Sequence, residues 1–216
     1  MKTSVIPAII ARTQVELDNL LNRVIGKVER VQLDVMDGEF VANTSLWFDF
    51  RLPTGMEYEA HLMTKNPLEW VEENISKVDT VILHVESLED IGLSINQAKS
   101  NGFKVYLSLK PETEIDYVLP YLDNVDGIQI MTVNPGKYGG EFLPETLEKI
   151  RRIQQIRKDI NIEVDGSMNP KNAALAKHFG ANIFVSGSYI LASKNVDKAI
   201  KELEEAVTNS VHLFGG

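Results

Sequence analysis

The chain has 216 residues, 44% of them hydrophobic, with a formal net charge of -9 and no cysteine. This size and apolar content suit one core-forming domain over 1–216, and the acidic balance argues against nucleic-acid binding, which needs a basic footprint. Without thiols there is no disulfide, thiolate nucleophile or cysteine-based metal site; no apolar run reaches the length of a membrane span or signal core, so a cytoplasmic protein with no membrane partner is expected.

Short runs rich in Val and Ile alternate with helical patterns along the chain. Ser4–Ile10 reads as the first strand, followed by a helix over Gln14–Ile25 with Val15, Leu17, Leu20, Leu21 and Val24 close to one face. Strand two, Arg30–Met36, leads into Glu39–Met56, a loop by its Asn43, Pro53 and Gly55, with at most a short turn of helix. Strand three is Glu57–Met63, and Pro67 opens a helix to about Ser76. Thr80–Glu86 and Lys104–Lys110 are strands four and five, separated by a helix over Leu88–Ser100. Gly127–Val133, Asn161–Gly166 and Asn182–Ser188 complete the strands, with helices over Pro144–Arg157, Pro170–Phe179 and Val196–Ala206. Eight such strands predict an α/β fold, a closed (β/α)8 TIM barrel. A doubly wound sheet would carry a Gly-rich turn where Ala8–Ala11 stands.

A barrel of this kind carries its site at the C-terminal strand ends. By the two-residue strand period, Gln32, Asp34 and Met36 share a face, as do His61 and Met63. His84 and Glu86 end strand four, and Asp165 ends strand seven. Two carboxylates and an imidazole at one mouth can hold a divalent cation or move protons. His61 or His84 taken alone reads equally as a satisfied core polar group, whereas Asp34 and Asp165, before glycine-containing turns, lean to function; His178 and His212 read as surface residues. Gly136 and Gly139 follow strand six, Gly166 and Ser167 follow strand seven, and Gly187 and Ser188 end strand eight. Such residues either make tight turns or let backbone N–H groups approach a phosphate. Three such sites in succession favour a phosphorylated substrate. Lys137 reads equally as a phosphate partner or a solvated loop charge.

The segments LDVMDGEFVAN (33–43), AHLM (60–63), LHVE (83–86), MTVNPG (131–136), VDGS (164–167) and SGS (186–188) together resemble the ribulose-phosphate 3-epimerase family, in its order and roughly its spacing. The resemblance implies a TIM barrel of the ribulose-phosphate-binding type and a metal-assisted epimerisation at C3 through an enediolate. The substrate would be D-ribulose 5-phosphate, giving D-xylulose 5-phosphate, or a related ketose phosphate. Asp34 and Asp165 would be the acid/base pair, and Asp34, His61 and Asp165 the ligands of Zn²⁺, Fe²⁺, Mn²⁺ or Co²⁺, with His61 also facing the substrate. Met36, Met63 and Met131 would pack around the reacting carbon. Gly136, Lys137, Tyr138, Gly139, Gly166, Ser167, Gly187 and Ser188 would form the phosphate segments. A homo-oligomer is implied as well.

The chain also departs from the family pattern. Gln32 stands where the family has a metal-ligating histidine, so that ligand is weak or lost. Ala8 and Ala11 stand in place of serines, and Lys137-Tyr138-Gly139-Gly140-Glu141 replaces an aromatic residue, two glycines and a glutamine. The segment after strand two is shorter than usual. These changes keep a second reading open: a relative that binds a phosphorylated ligand without turnover. An aldolase-like barrel would need an activated interior lysine; Lys110 ends strand five with no obvious activating neighbour.

Overall fold

The computed structural model describes residues 2–136 and 139–209. Its strands are β1 (Ser4–Ile9), β2 (Arg30–Asp37), β3 (Thr44–Ser45), β4 (Glu57–Met63), β5 (Thr80–His84), β6 (Lys104–Leu109), β7 (Gly127–Met131), β8 (Asn161–Asp165) and β9 (Ile183–Ser186). All but β3 are parallel, in the order β1-β9-β8-β7-β6-β5-β4-β2, and β1 pairs again with β2 to close the barrel. The expected TIM barrel is therefore the observed one. The wall has two faces because strand side chains alternate. Leu33, Leu62, Leu83, Leu107, Ile130, Val164 and Phe184 belong to the main core between wall and helices. Ile6, Ala8, Ile82, Tyr106, Ile183 and Val185 form a separate cluster inside the barrel.

The helices are α1 (Gln14–Leu21), α2 (Pro67–Glu73), α3 (Ile91–Ser100), α4 (Glu148–Ile156), α5 (Pro170–Phe179), α6 (Ser188–Leu191) and α7 (Val196–Asn209). Their starts follow local chemistry. Thr13, Asp90 and Asn169 accept hydrogen bonds from the backbone N–H groups of Glu16, Leu93 and Asn172, satisfying donors that a helix start leaves open. Pro67 and Pro170 occupy first-turn positions, where a missing N–H costs nothing. Gly180 ends α5 at φ 112°, a left-handed cap that suits glycine.

Several boundaries are corrected. The first helix stops at Leu21, not Ile25, because the chain tightens into turns and then reverses at Gly26, φ 75°. α2 stops at Glu73, where Asn74 turns its side-chain amide back onto the Trp70 carbonyl. Strand four ends at His84, and Val85–Ser87 is a 3-10 turn. Strand eight ends at Ser186, so Ser188 opens a helix. Pro144–Leu147 is 3-10 rather than α. Between β6 and β7 the chain makes two 3-10 turns, Ile115–Tyr117 and Leu119–Tyr121, with Pro120 in the second. The loop after β2 holds only the two-residue β3, antiparallel to β2 through Met36↔Ser45 and Asp37↔Thr44.

A recurring device aligns the lower edge of the wall. Asp79, Asp126 and Asn182 accept hydrogen bonds from the backbone N–H groups of Tyr58, Val105 and Ile162, each on the preceding strand of the barrel. On the inner face, Tyr106 lies against Gly127 so closely that a Cβ there would come within 2.3 Å of its ring. Gly127→Ala is expected to lower stability by about 1–3 kcal/mol, the usual cost of overpacking. Thermal unfolding followed by circular dichroism would measure it.

Candidate functional site

The strand ends converge on a pocket at the C-terminal mouth of the barrel. Gln32, Asp34 and Met36 project from β2, and Asp34 lies in register with His61 on β4. Asp165 ends β8 and is fixed by Thr132, whose N–H and hydroxyl both donate to the Asp165 carbonyl, at 2.8 and 3.0 Å. Asp34, His61 and Asp165 come together as a group able to hold a metal ion. His61 Nδ1 lies 3.4 Å from Asp34 Oδ1 and 3.2 Å from Asp165 Oδ2. Ligands about 2.1 Å from a tetrahedral cation are separated by about 3.4 Å, a spacing that both His61–carboxylate distances match.

The nitrogen end of the Gln32 amide faces the two carboxylates. Its Nε2 donates to Asp34 Oδ1 and to Asp165 Oδ2, each at 2.7 Å. Those are hydrogen-bond lengths. The Gln32 carbonyl oxygen points away and accepts from Gln129 Nε2 at 3.0 Å. Gln129 in turn accepts from the Ser108 hydroxyl and donates to Glu163. The sequence reading missed Gln129 and Ser108. Their only signal is the strand period, since Gln129 stands two residues before Met131.

A second chain runs outward from His61. Its Nε2 lies 2.9 Å from His84 Nε2, and His84 Nδ1 lies 3.0 Å from Glu86 Oε2. Burial would lower the His61 pKa, but hydrogen bonds and charge from Asp165 and Asp34 outweigh it and hold the imidazole up at about 10. Burial depresses His84 to about 4 despite the Glu86 hydrogen bond. Burial raises the Asp34 carboxyl above its usual range, and the Asp165 charge adds to this against His61 and Gln32.

Beneath the site, Glu59 and Glu163 are fully buried, and Arg30 pairs with Glu59 at 3.2 Å. Burial pushes Glu59 up to about 7 despite Arg30, and pushes Glu163 well above the usual range. A carboxyl whose pKa rises on folding favours the folded state at low pH and loses that contribution as pH climbs from its ordinary value through its folded one. Glu163→Gln is therefore expected to raise Tm at pH 8 by about 2–4 °C, on the order of 1 kcal/mol, and to change it little at pH 5. Melting curves at both values check this.

On the other side of the pocket are the glycine turns. Gly166 has φ 124° and Ser167 φ 52°, both in the left-handed region that favours glycine. A Cβ on Gly166 would meet Val133 at 2.6 Å, and one on Gly136 would meet Val41 at 2.8 Å. The Ser167 hydroxyl donates to the Gly140 carbonyl. Gly187 precedes the short α6, whose first residue is Ser188. Gly136, Gly139, Gly166, Ser167, Gly187 and Ser188 all line the pocket, as do Met36, Met63 and Met131. Lys137 and Tyr138 lie outside the described residues. Ala8 also lines the pocket. Ala11 bonds to Ser45 through both its N–H and its carbonyl, which ties β3 to the end of β1. Lys110 stacks its ammonium on Phe40 at 3.9 Å from the ring centre. His178 is exposed on α5.

This is a TIM barrel with an acid–imidazole group and glycine turns facing each other across the mouth at its C-terminal strand ends. Residues 1–191 match the ribulose-phosphate 3 epimerase family, and the chain belongs to that family, a family of isomerases. Among its relatives, the ribulose-phosphate 3-epimerase of Methanocaldococcus jannaschii is 33% identical over 193 residues, 86% of this chain and 82% of that one. The Bacillus subtilis enzyme of the same name is 30% identical, over 92% of this chain and 97% of that one. Among solved structures, KGPDC from Streptococcus mutans superposes with a TM-score of 0.69 at 14% identity over the full length of both chains. At that identity it speaks for the fold alone. No helix among the described residues is long and apolar enough to cross a membrane.

Proposed function

We propose that the protein is a sugar-phosphate 3-epimerase that interconverts D-ribulose 5-phosphate and D-xylulose 5-phosphate, or a closely related ketose phosphate. Family membership supports the reaction class. The observation that carries the assignment to residues is the pairing of Asp34 and Asp165. Carboxylates from β2 and β8 both line one pocket, each 2.7 Å from a single amide nitrogen.

The reaction needs one group to take the C3 proton and another to return a proton to the opposite face. One aspartate acts as a carboxylate base and the other as a carboxylic acid, so each turnover exchanges their protonation states. Burial holds Asp34 above the usual carboxyl range, which suits a group that carries a proton. Negative charge builds on the C2 oxygen as the proton leaves; without a cation, His61, held protonated by the two carboxylates, places positive charge nearby, and with one bound its Nδ1 would be a ligand instead. Asp34, His61 and Asp165 would hold a divalent cation, with the Nε2–H of His61 turned to His84 to fix the ring. When bound, such a cation supplies positive charge beside the oxygens of the enediolate. Met36, Met63 and Met131 exclude water around C3. The glycine turns and the start of α6 supply backbone N–H groups to the phosphate, in the position where this fold class repeatedly binds one.

Conversion of D-ribulose 5-phosphate by the purified protein, with and without Zn²⁺, Fe²⁺, Mn²⁺ or Co²⁺, tests the reading. No xylulose product under any condition would sink it. The second reading, ligand binding without turnover, is favoured by the placement of the Gln32 amide among the donors. It predicts that the sugar phosphate raises Tm while no product forms.

A further inference from the structure

The Gln32 side chain stands among three candidate cation ligands with its donor end inward, and its orientation is locked from behind. Turning the amide over would set its oxygen 2.7 Å from two carboxylate oxygens and its NH₂ group against that of Gln129. Both contacts are repulsive, so the network fixes the orientation that a single amide would leave open. Gln129 is itself held by Ser108 and Glu163, at 2.8 and 2.7 Å. All four side chains except Ser108 carry long polar ends, and all four are fully buried, where an unmade hydrogen bond is costly. The oxygens that Gln32 engages, Asp34 Oδ1 and Asp165 Oδ2, are those closest to His61 Nδ1. One pair of oxygens is thus claimed twice, by the amide and by any cation the three donors would hold.

We infer that Gln32 is a carboxylate clamp and not a metal ligand: its NH₂ group bridges Asp34 and Asp165 in place of a cation, locked by the Ser108–Gln129 chain, and a divalent cation binds only by displacing it. Gln32 is then a positioning residue, acting through the two aspartates. It holds the two aspartate side chains together, so the metal-free site stays assembled. The inference rests on the assignment of Asp34, His61 and Asp165 as the cation group.

The two roles for Gln32 predict opposite signs. If it were a ligand, removing it would weaken metal binding. As a clamp, it competes, so removing it strengthens binding. Co²⁺ affinity of the full-length protein, read by calorimetry and visible absorption without substrate, separates them. Gln32→Ala should bind Co²⁺ about tenfold more tightly than wild type, the scale of one charge-assisted hydrogen bond, and should melt at a lower temperature without metal. Gln32→His, which replaces a competitor with a ligand, should bind more tightly still. Gln129→Met, which releases the lock while leaving Gln32 in place, should also bind severalfold more tightly, and it decides the matter if Gln32→Ala does not fold. Equal or weaker affinity in Gln32→Ala and Gln129→Met would overturn the inference, as would absence of Co²⁺ binding in every variant. Failure of the epimerase reading would look different: no C3 proton exchange, with this order of affinities intact.

Discussion

Asp165→Asn is expected to lower kcat for epimerisation by about 10³-fold, within the range a positioned acid or base supplies, with kcat/KM falling by a similar factor. The asparagine keeps the shape of the side chain and an oxygen for the Gln32 amide, which donates to Asp165 at 2.7 Å, so the fold should survive. Asp34→Asn should cost a comparable factor. Burial already favours the uncharged form of Asp34, so a neutral amide there should perturb stability little. The two variants should differ in a telling way. With one aspartate lost, the other can still remove the C3 proton that faces it and return it to the same face. Each variant should therefore exchange the C3 hydron of one epimer with solvent but not of the other, and the preferred epimer should switch between Asp165→Asn and Asp34→Asn. Steady-state assays and NMR of each substrate in D₂O would measure both effects. Loss of exchange on both epimers in either variant would contradict a two-base division of labour.

Removing the phosphate from the substrate is expected to cost about as much as losing a catalytic group. Gly166, at φ 124°, and Gly187, ahead of α6, present backbone without Cβ bulk to the pocket. The binding energy of a remote phosphate holds the reacting carbon in place, so truncation lowers turnover as well as affinity. Ribulose without its phosphate should show kcat/KM reduced by roughly 10³-fold or more. Gly166→Ala should act on the same side of the pocket. Its Cβ would come within 2.6 Å of Val133 and its backbone would be strained by about 1–3 kcal/mol. KM for the phosphorylated sugar should rise while the pH dependence of kcat stays unchanged. Equal activity on ribulose and its 5-phosphate would remove the phosphate role of these turns.

The barrel was legible because its strands are short Val- and Ile-rich runs with turn residues between them, and because Pro67, Pro170, Thr13 and Asn169 mark helix starts by local chemistry alone. What escaped was set by tertiary contact. β3 is two residues long and exists only because Met36 and Asp37 of β2 offer it a partner. The segment between β6 and β7 carries Pro120 and folds as 3-10 turns. Strand four reads on to Glu86 because its sequence is extended in character, yet Glu86 turns back to accept from His84 and the Lys110 N–H.

The candidate site divides in the same way. Asp34, His61 and Asp165 each stand out as polar groups on an inward strand face, and the barrel brings them together. Gln32 stands out as a departure from the family pattern. Which end of its amide faces the carboxylates depends on Gln129, on β7 and 97 residues downstream, and on Ser108 of β6 behind it. A single sequence carries no sign of that linkage, because a polar residue inside a strand shows neither its partner nor its orientation.

The measurement that tests the central claim most directly is hydron exchange at C3. The wild-type protein, supplied in turn with each of the four cations, is incubated with D-ribulose 5-phosphate in D₂O and followed by NMR. The account predicts deuterium at C3 in both ribulose and xylulose 5-phosphates, with no exchange at C1. A sugar phosphate that raises Tm while its C3 proton stays in place would contradict it, and would make this barrel a binder of phosphorylated ligands.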